Sequence, residues 1–185
     1  MAYDALTRDL TLSVNVSAKQ FRLADFVSQV QRVLQESGAR PSMLKLELTE
    51  STVLENVEDT IAKMRDLKML GVGFSMDDFG TGYSSLQYLK LLPLDQIKID
   101  QSFVRDITSD PNDAIIVKTI IAMTEALGLD VIAEGVETEA QREFLDKHGC
   151  HAFQGYLFSN PVSLDQFEGV LRVGKQSIAL SSALP

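Results

Sequence analysis

Six times along this chain a short stretch of period-two alternation gives way to a stretch of helical period. That order restricts the fold more than any other property of the sequence. The strand-like stretches run from Leu12 to Ser17, Leu44 to Thr49, Val72 to Asp77, Ile97 to Asp100, Val131 to Glu134 and Ala152 to Gly155. Between them, Phe26, Val30, Val33 and Leu34 recur at helical spacing and stop at Gly38, and Val57, Ile61, Met64 and Leu67 do so up to Gly71. A shorter helical turn from Leu86 to Leu91 is closed by Pro93. Asp110-Pro111 opens a long helix through Ile115, Val117, Ile120, Ile121 and Leu127, with Pro111 at its first position and Gly128 past its end. Thr138-x-x-Gln141 caps a helix carrying Phe144 and Leu145 that ends at Gly149, and Ser163-x-x-Gln166 caps the last, with Leu164, Phe167, Val170 and Leu171. Strand and helix in strict alternation require parallel pairing through right-handed crossovers, so the class is α/β.

A parallel sheet covered on both faces reads as continuous apolar runs. These strands do not. Each keeps one apolar parity and sets a polar residue on the other near its C-terminal end: Asn15, Glu47, Asp77, Lys98, Glu134 and Gln154. Under a helix layer such residues would be costly to bury unpaired. At the C-terminal mouth of a barrel, inward polar groups are wet and active sites are built. The pattern predicts a (β/α)8-type barrel of which about six βα units are present. Two unpaired sheet edges would follow, inviting a homodimer or other oligomer.

With 185 residues and 45% hydrophobic content, the chain has material for one core, expected over residues 1–173 with a weakly patterned, disordered tail over 174–185. A net charge of −9 supplies no basic footprint for a nucleic-acid polymer and leaves a small anionic ligand possible only if bound cations cancel the repulsion. The lone Cys150 excludes an intramolecular disulfide framework and fits a reducing compartment. The opening residues carry no signal-peptide pattern and no apolar run approaches membrane-spanning length, so a cytoplasmic location without membrane contact is expected.

The chemistry centres on Asp77-Asp78-Phe79-Gly80-Thr81-Gly82. Neighbouring strand residues point to opposite faces, so the two carboxylates converge only if Asp78 already belongs to the turn. Held close, they repel each other unless a cation sits between them. Carboxylate and amide oxygens suit hard cations such as Mg2+ or Mn2+, not zinc. No histidine lies near a strand end, which removes His-based zinc sites and Ser-His-Asp hydrolysis. Oxygen-ligated divalent ions around an inward lysine fit phosphodiester hydrolysis, with Lys98 orienting or deprotonating the water or holding developing charge.

The segments Ser13-Val14-Asn15-Val16-Ser17, Glu47-Leu48-Thr49-Glu50-Ser51, Asp77-Asp78-Phe79-Gly80-Thr81-Gly82, Lys98-Ile99-Asp100, Ala133-Glu134-Gly135-Val136-Glu137 and Gln154-Gly155-Tyr156 resemble, in order, the EAL-domain family. The resemblance runs from about Leu12 to Val173. It implies a modified (β/α)8 TIM-type barrel that hydrolyses cyclic-di-GMP to linear pGpG with two Mg2+ or Mn2+ ions. By the same resemblance Asn15, Glu47 and Asp77 are metal ligands, and Asp78 is a ligand of the second metal. Lys98 orients or activates the water, while Glu134 and Gln154 complete the metal and water network. Glu50 anchors the loop Phe79 to Ser85, which in the family also links the site to dimerisation, and Glu137 is a second acidic residue on the substrate side.

The match departs from the family at its start, since the strand bearing the naming Glu-Ala-Leu, whose glutamate is a metal ligand, is absent. Glu125-Ala126-Leu127 spells those letters inside the long helix, where Leu127 continues the apolar stripe. Tyr3-Asp4-Ala5-Leu6-Thr7-Arg8 resembles the motif with aspartate for glutamate, yet lies too close to the next strand for a parallel crossover, making Asp4 a surface residue. Three functions therefore compete: a phosphodiesterase impaired by the missing ligand, a non-catalytic cyclic-di-GMP-binding or protein-interaction module, and an unrelated aldolase using Lys98 as a Schiff base. The last needs a neutral lysine, which four nearby acids would keep charged.

Overall fold

The computed structural model describes residues 10–54, 56–82, 86–169 and 171. Among the described residues the chain divides into a compact unit spanning Thr11–Phe158 and a second unit that includes residues 159–169. In the second unit residues 164–169 are helical, and the Ser163 amide and hydroxyl both donate to Gln166 Oε1. The expected tail over 174–185, Val170 and Asp4 lie outside the described residues.

The larger unit holds six strands: β1 (Leu12–Asn15), β2 (Leu44–Thr49), β3 (Gly73–Phe79), β4 (Gln96–Ile99), β5 (Asp130–Ala133) and β6 (Ala152–Phe153). All neighbours pair in parallel and the sheet order is the chain order, β1 to β6. The helices are α1 (Ala18–Phe21), α2 (Phe26–Ser37), α3 (Glu50–Leu54), α4 (Val57–Leu70), α5 (Leu86–Leu89), α6 (Gln101–Arg105), α7 (Pro111–Leu127) and α8 (Glu139–Lys147). This is the six-stranded α/β half-barrel the alternation predicted. Among the described residues no helix is long and apolar enough to cross a membrane.

The punctuation of the sequence places the long helices. Asn56 and Asp110 accept from the backbone at their helix starts, Pro111 fills the first turn of α7, and Thr138 with Gln141 closes a full capping box on α8. Helices α2, α4 and α7 stop at Gly38, Gly71 and Gly128. Glu125 to Leu127 lies in the last turn of α7, so that triplet is helix and not a strand end.

Several boundaries differ from the sequence reading. β1 stops at Asn15 because Ser17 turns the chain into α1 through a capping box with Gln20. β4 ends one residue early because Asp100 caps α6, accepting from the Ser102 amide at 2.9 Å. β6 covers only Ala152–Phe153, and α5 only Leu86–Leu89. The short helices α3 and α6 follow β2 and β4 in stretches where the sequence shows no helical period. Most consequential, β3 continues through Asp78 to Phe79 while the Asp78 carbonyl already accepts from the Thr81 amide at 3.3 Å, so Asp78 both lies in the end of the strand and opens the turn.

Register divides the sheet into two chemical faces. Asn15 pairs with Glu47, Glu47 with Ser75, Ser75 with Gln96, and Gln96 with Asp130. Registered partners share a face, and alternate residues of one strand return to it. One face therefore carries Lys45, Glu47, Ser75, Asp77, Gln96 and Lys98. The other carries Leu46, Leu48, Phe74, Met76, Ile97 and Ile99, all buried, packed in one core with Met64, Leu67, Val117, Ile120 and Leu145 of the helices. Each such large side chain contributes about 1.5–3 kcal/mol by leaving water. Stability thus rests on the helix-facing parity, and the inner parity is left for chemistry.

Candidate active site

Lys98 is the centre of the inner face. It springs from β4, is 4% exposed, and its Nζ lies 2.7 Å from Glu47 Oε2 of β2, 2.9 Å from Asp77 Oδ1 of β3 and 2.7 Å from Glu134 Oε1 just past β5. Residues from four consecutive strand ends thus meet at one ammonium. Three N–H donors face three carboxylates, and no donor is left over. Burial pulls the ammonium toward its neutral form, but the hydrogen bonds it donates to Glu134, Glu47 and Asp77 overcome this and hold it above the ordinary lysine range. A lysine so charged is no Schiff-base nucleophile, which disposes of the aldolase alternative. Glu134 is shifted up, first by burial and further by Asp77 and Glu47, against the lowering pull of Lys98.

Asp77 and Asp78 reach one place by a local distortion. The β3–β4 register slips between Met76 and Phe79, and Asp78 has a φ of 54°. That left-handed conformation is tolerated by aspartate better than by most residues. It breaks the strict alternation, so two adjacent carboxylates can serve one cavity. Carboxylate oxygens of Asp77, Asp78 and Glu134 all lie within 4.8 Å of one another. The Thr81 hydroxyl donates to the Asp78 carbonyl at 2.8 Å and the Asp78 amide to Asp77 Oδ1 at 3.1 Å, fixing the bulge. The Asp78 carboxyl is raised by burial, then by Asp77, and by a hydrogen bond with Asp100. Asp100 was not singled out in the sequence beyond its place in Lys98-Ile99-Asp100. The cue lay in its position two residues after Lys98, hidden by its second role as the cap of α6.

The remaining expected residues surround this cluster unevenly. Glu50, the first residue of α3, is 3% exposed and lies under the glycine loop: Oε2 accepts from the Gly80 amide at 3.4 Å. Its Oε1 has no hydrogen-bond partner among the described residues. A Cβ on Gly82 would sit 2.5 Å from that oxygen, so the loop passes directly over the carboxylate. Asn15 is exposed on β1 but registers with Glu47. Gln154 has an exposed side chain, while its backbone extends the β5–β6 ladder, its amide donating to Ala133 at 2.8 Å. Glu137 is exposed in the turn before α8, its amide donating to Gln141 Oε1 at 2.8 Å. A cavity of about 560 Å³ lies elsewhere, at the N-terminal ends of β4–β6 between Gln96, Ile121, Asp130 and His151, and includes none of these residues.

The donor set is all oxygen, converges from several strands, and gathers the carboxylates of Glu47, Asp77, Asp78 and Glu134 about a single ammonium. It fits hard divalent ions. Fold and site together define an α/β half-barrel with an acidic, lysine-bridged site at the C-terminal ends of its strands. Residues 1–161 match the EAL domain family model. MucR of Pseudomonas aeruginosa, a bifunctional diguanylate cyclase/cyclic di-GMP phosphodiesterase, is 46% identical over 158 residues, covering 85% of this chain and 23% of that protein. NbdA of the same organism, a cyclic di-GMP phosphodiesterase, is 45% identical over 163 residues, 88% of this chain and 21% of that protein. The solved structure of PaMucR phosphodiesterase in a c-di-GMP complex superposes with a TM-score of 0.82 at 45% identity, over 85% of this chain and 64% of that one. Klebsiella pneumoniae BlrP1 in a manganese/cyclic-di-GMP complex gives 0.76 at 34% identity, over 82% and 39%. The chain belongs to the EAL domain family. It spans about a quarter of the length of the curated relatives it matches.

Proposed function

We propose that this chain is a metal-dependent phosphodiesterase that hydrolyses cyclic-di-GMP to linear pGpG. The observation that carries the reading is the bridging of Glu47, Asp77 and Glu134 by one buried ammonium, with Asp78 turned in beside them. Asp77, Asp78 and Glu134, with Glu47 and Asn15 on the adjoining strands, would hold Mg2+ or Mn2+. Such ions neutralise a bound phosphodiester and favour ionisation of water. Lys98 keeps Glu47, Asp77 and Glu134 converged before any ligand arrives, and a carboxylate that turned to a bound cation would free one N–H for water or a phosphoryl oxygen. In the reaction a water oxygen bonds to phosphorus, the bond from phosphorus to a ribose oxygen breaks, and a proton ends on the leaving hydroxyl. Glu50 sets the glycine loop, and Gln154 and Glu137 stand at the rim where a nucleotide would lie. The relatives' named activities and a bound dinucleotide in the PaMucR structure support this reading.

The same reading includes a cytoplasmic homodimer, with β1 and β6 as the sheet edges of the described residues and Leu12 and Val14 of β1 exposed. A monomeric mass by light scattering removes the dimer. The activity is tested by incubating the chain and its Glu47→Ala variant with cyclic-di-GMP and Mn2+ or Mg2+, then resolving products by chromatography. Product from the unaltered chain alone supports hydrolysis. Calorimetric binding without product from either replaces it with a receptor role.

A further inference from the structure

The inner face carries a second lysine that the hydrolytic reading does not use. Lys45 lies on β2 two residues before Glu47, on the same face, and its Nζ donates to Gln96 Oε1 of β4 at 3.1 Å. To get there its stem crosses β3 at Gly73, its registered partner, where an added Cβ would sit 3.7 Å from Lys45 Cγ. Ser75, fully buried, donates to the same Gln96 oxygen at 3.4 Å. Lys98 reaches back from β4 toward β2 in the upper layer, and Lys45 reaches forward from β2 toward β4 in the lower one. Barrel interiors at this depth are ordinarily filled by branched aliphatic side chains. A half-buried lysine there gives up rotamer freedom and hydration for a hydrogen bond to a neutral amide, a poor return in stability. Its long-range effect is larger, because it stands roughly 7 Å, two strand residues, beneath a cluster of four carboxylates served by one ammonium.

We infer that Lys45, held in place by Gln96, is a built-in counter-charge that lowers the affinity of the carboxylate site for divalent cations. The inference rests on the metal-site reading above. A fixed positive charge favours the crowded carboxylates while the site holds no ion and opposes a doubly charged ion when one arrives. A set of four carboxylates is thereby kept from binding cations so tightly that they never leave. At that separation, even with a water-like dielectric, the opposition amounts to at least about fivefold in affinity.

The test is Mn2+ titration of the whole chain by calorimetry, alongside Lys45→Met, Lys45→Arg, Gln96→Leu and Asp77→Asn. Lys45→Met is expected to bind Mn2+ at least about fivefold more tightly. Lys45→Arg, which keeps charge and reach, should match the unaltered chain. Gln96→Leu should fall between, since the released ammonium drifts toward solvent. Tightening is a diagnostic direction, because a merely structural lesion would loosen the site. Unchanged or weaker binding in Lys45→Met, or equal tightening in Lys45→Arg, overturns the inference. Should Lys45→Met not fold, unchanged or weaker binding in Gln96→Leu overturns it instead. Equal Mn2+ uptake by the unaltered chain and Asp77→Asn would sink the metal-site reading itself, an outcome distinguishable from the others.

Discussion

Replacing Lys98 with methionine preserves length and apolar stem while removing the charge that three carboxylates share. The side chains of Glu47, Asp77 and Glu134 are 9%, 14% and 16% exposed, so solvent screens them poorly once the ammonium is gone. Removing one partner of a buried ion pair costs about 3–5 kcal/mol. The site opens at the mouth of the half-barrel and its acids can take up protons, which argues for the lower end, about 3 kcal/mol at neutral pH. For a chain of this size each kcal/mol moves the midpoint by about 2–4 °C, so Tm should fall by about 6–12 °C without added metal. The sign with pH follows. Uncompensated carboxylates have folded-state pKa values above their unfolded ones, so the variant loses stability as pH rises through that window and regains it on acidification. Mn2+ should restore it as well, by supplying the missing charge. The assay is thermal unfolding by circular dichroism at pH 5 and pH 7.5, with and without Mn2+. A Tm unchanged at neutral pH, or a deficit that neither acid nor Mn2+ reduces, would refute the view of Lys98 as the site's counter-ion.

Gly82→Ala should destabilise the chain by about 1–3 kcal/mol because its Cβ would lie 2.5 Å from Glu50 Oε1, and the cost should vanish in a Glu50→Ala background. Denaturant midpoints of the four proteins of that cycle measure the coupling. Asp78 and Glu134 both titrate above the usual carboxylate range, and protons compete with cations for the same oxygens. Mn2+ affinity should therefore begin to fall, as pH is lowered, sooner than ordinary aspartates would give, which a calorimetric series between pH 5 and 8 would display. Burial pushes the Cys150 thiol up to about 11, so a disulfide reagent at pH 8 should label it only as fast as the chain opens. Rapid labelling of the folded protein would contradict its buried position.

Much of this architecture was legible because it rests on local rules. Period, caps and terminators located the strands and long helices, and polar residues recurring on one parity pointed to a mouth lined by Glu47, Asp77, Lys98 and Glu134. What escaped depended on tertiary context. The bulge at Asp78 is a register event between two strands, and no periodicity within β3 announces it. Asn15 and Gln154 read as equals of Glu47, yet Asn15 ends β1 and Gln154 lies just past β6, the two edge strands of the described sheet, and both side chains are exposed. The lower polar layer of Lys45, Ser75 and Gln96 is assembled by pairing across β2, β3 and β4, which no motif within a single strand announces. Asp100 was seen as part of a motif but not as a neighbour of Asp78, which only the β3–β4 pairing supplies.

A sheet whose spatial order equals its chain order behaves as a row, in which each unit leans on the one before and the one after. Such a row comes apart from its ends. β1 is exposed along its whole length, whereas Phe74, Ser75 and Met76 of β3 and Ile97 to Ile99 of β4 are buried. Amide exchange should therefore be slowest in β3 and β4 and quicken outward toward β1 and β6, passing through Asn15 and Gln154 on the way. The two strands that hold Asp77 and Lys98 are then the last to open, and the peripheral contributors to the site are the first to go.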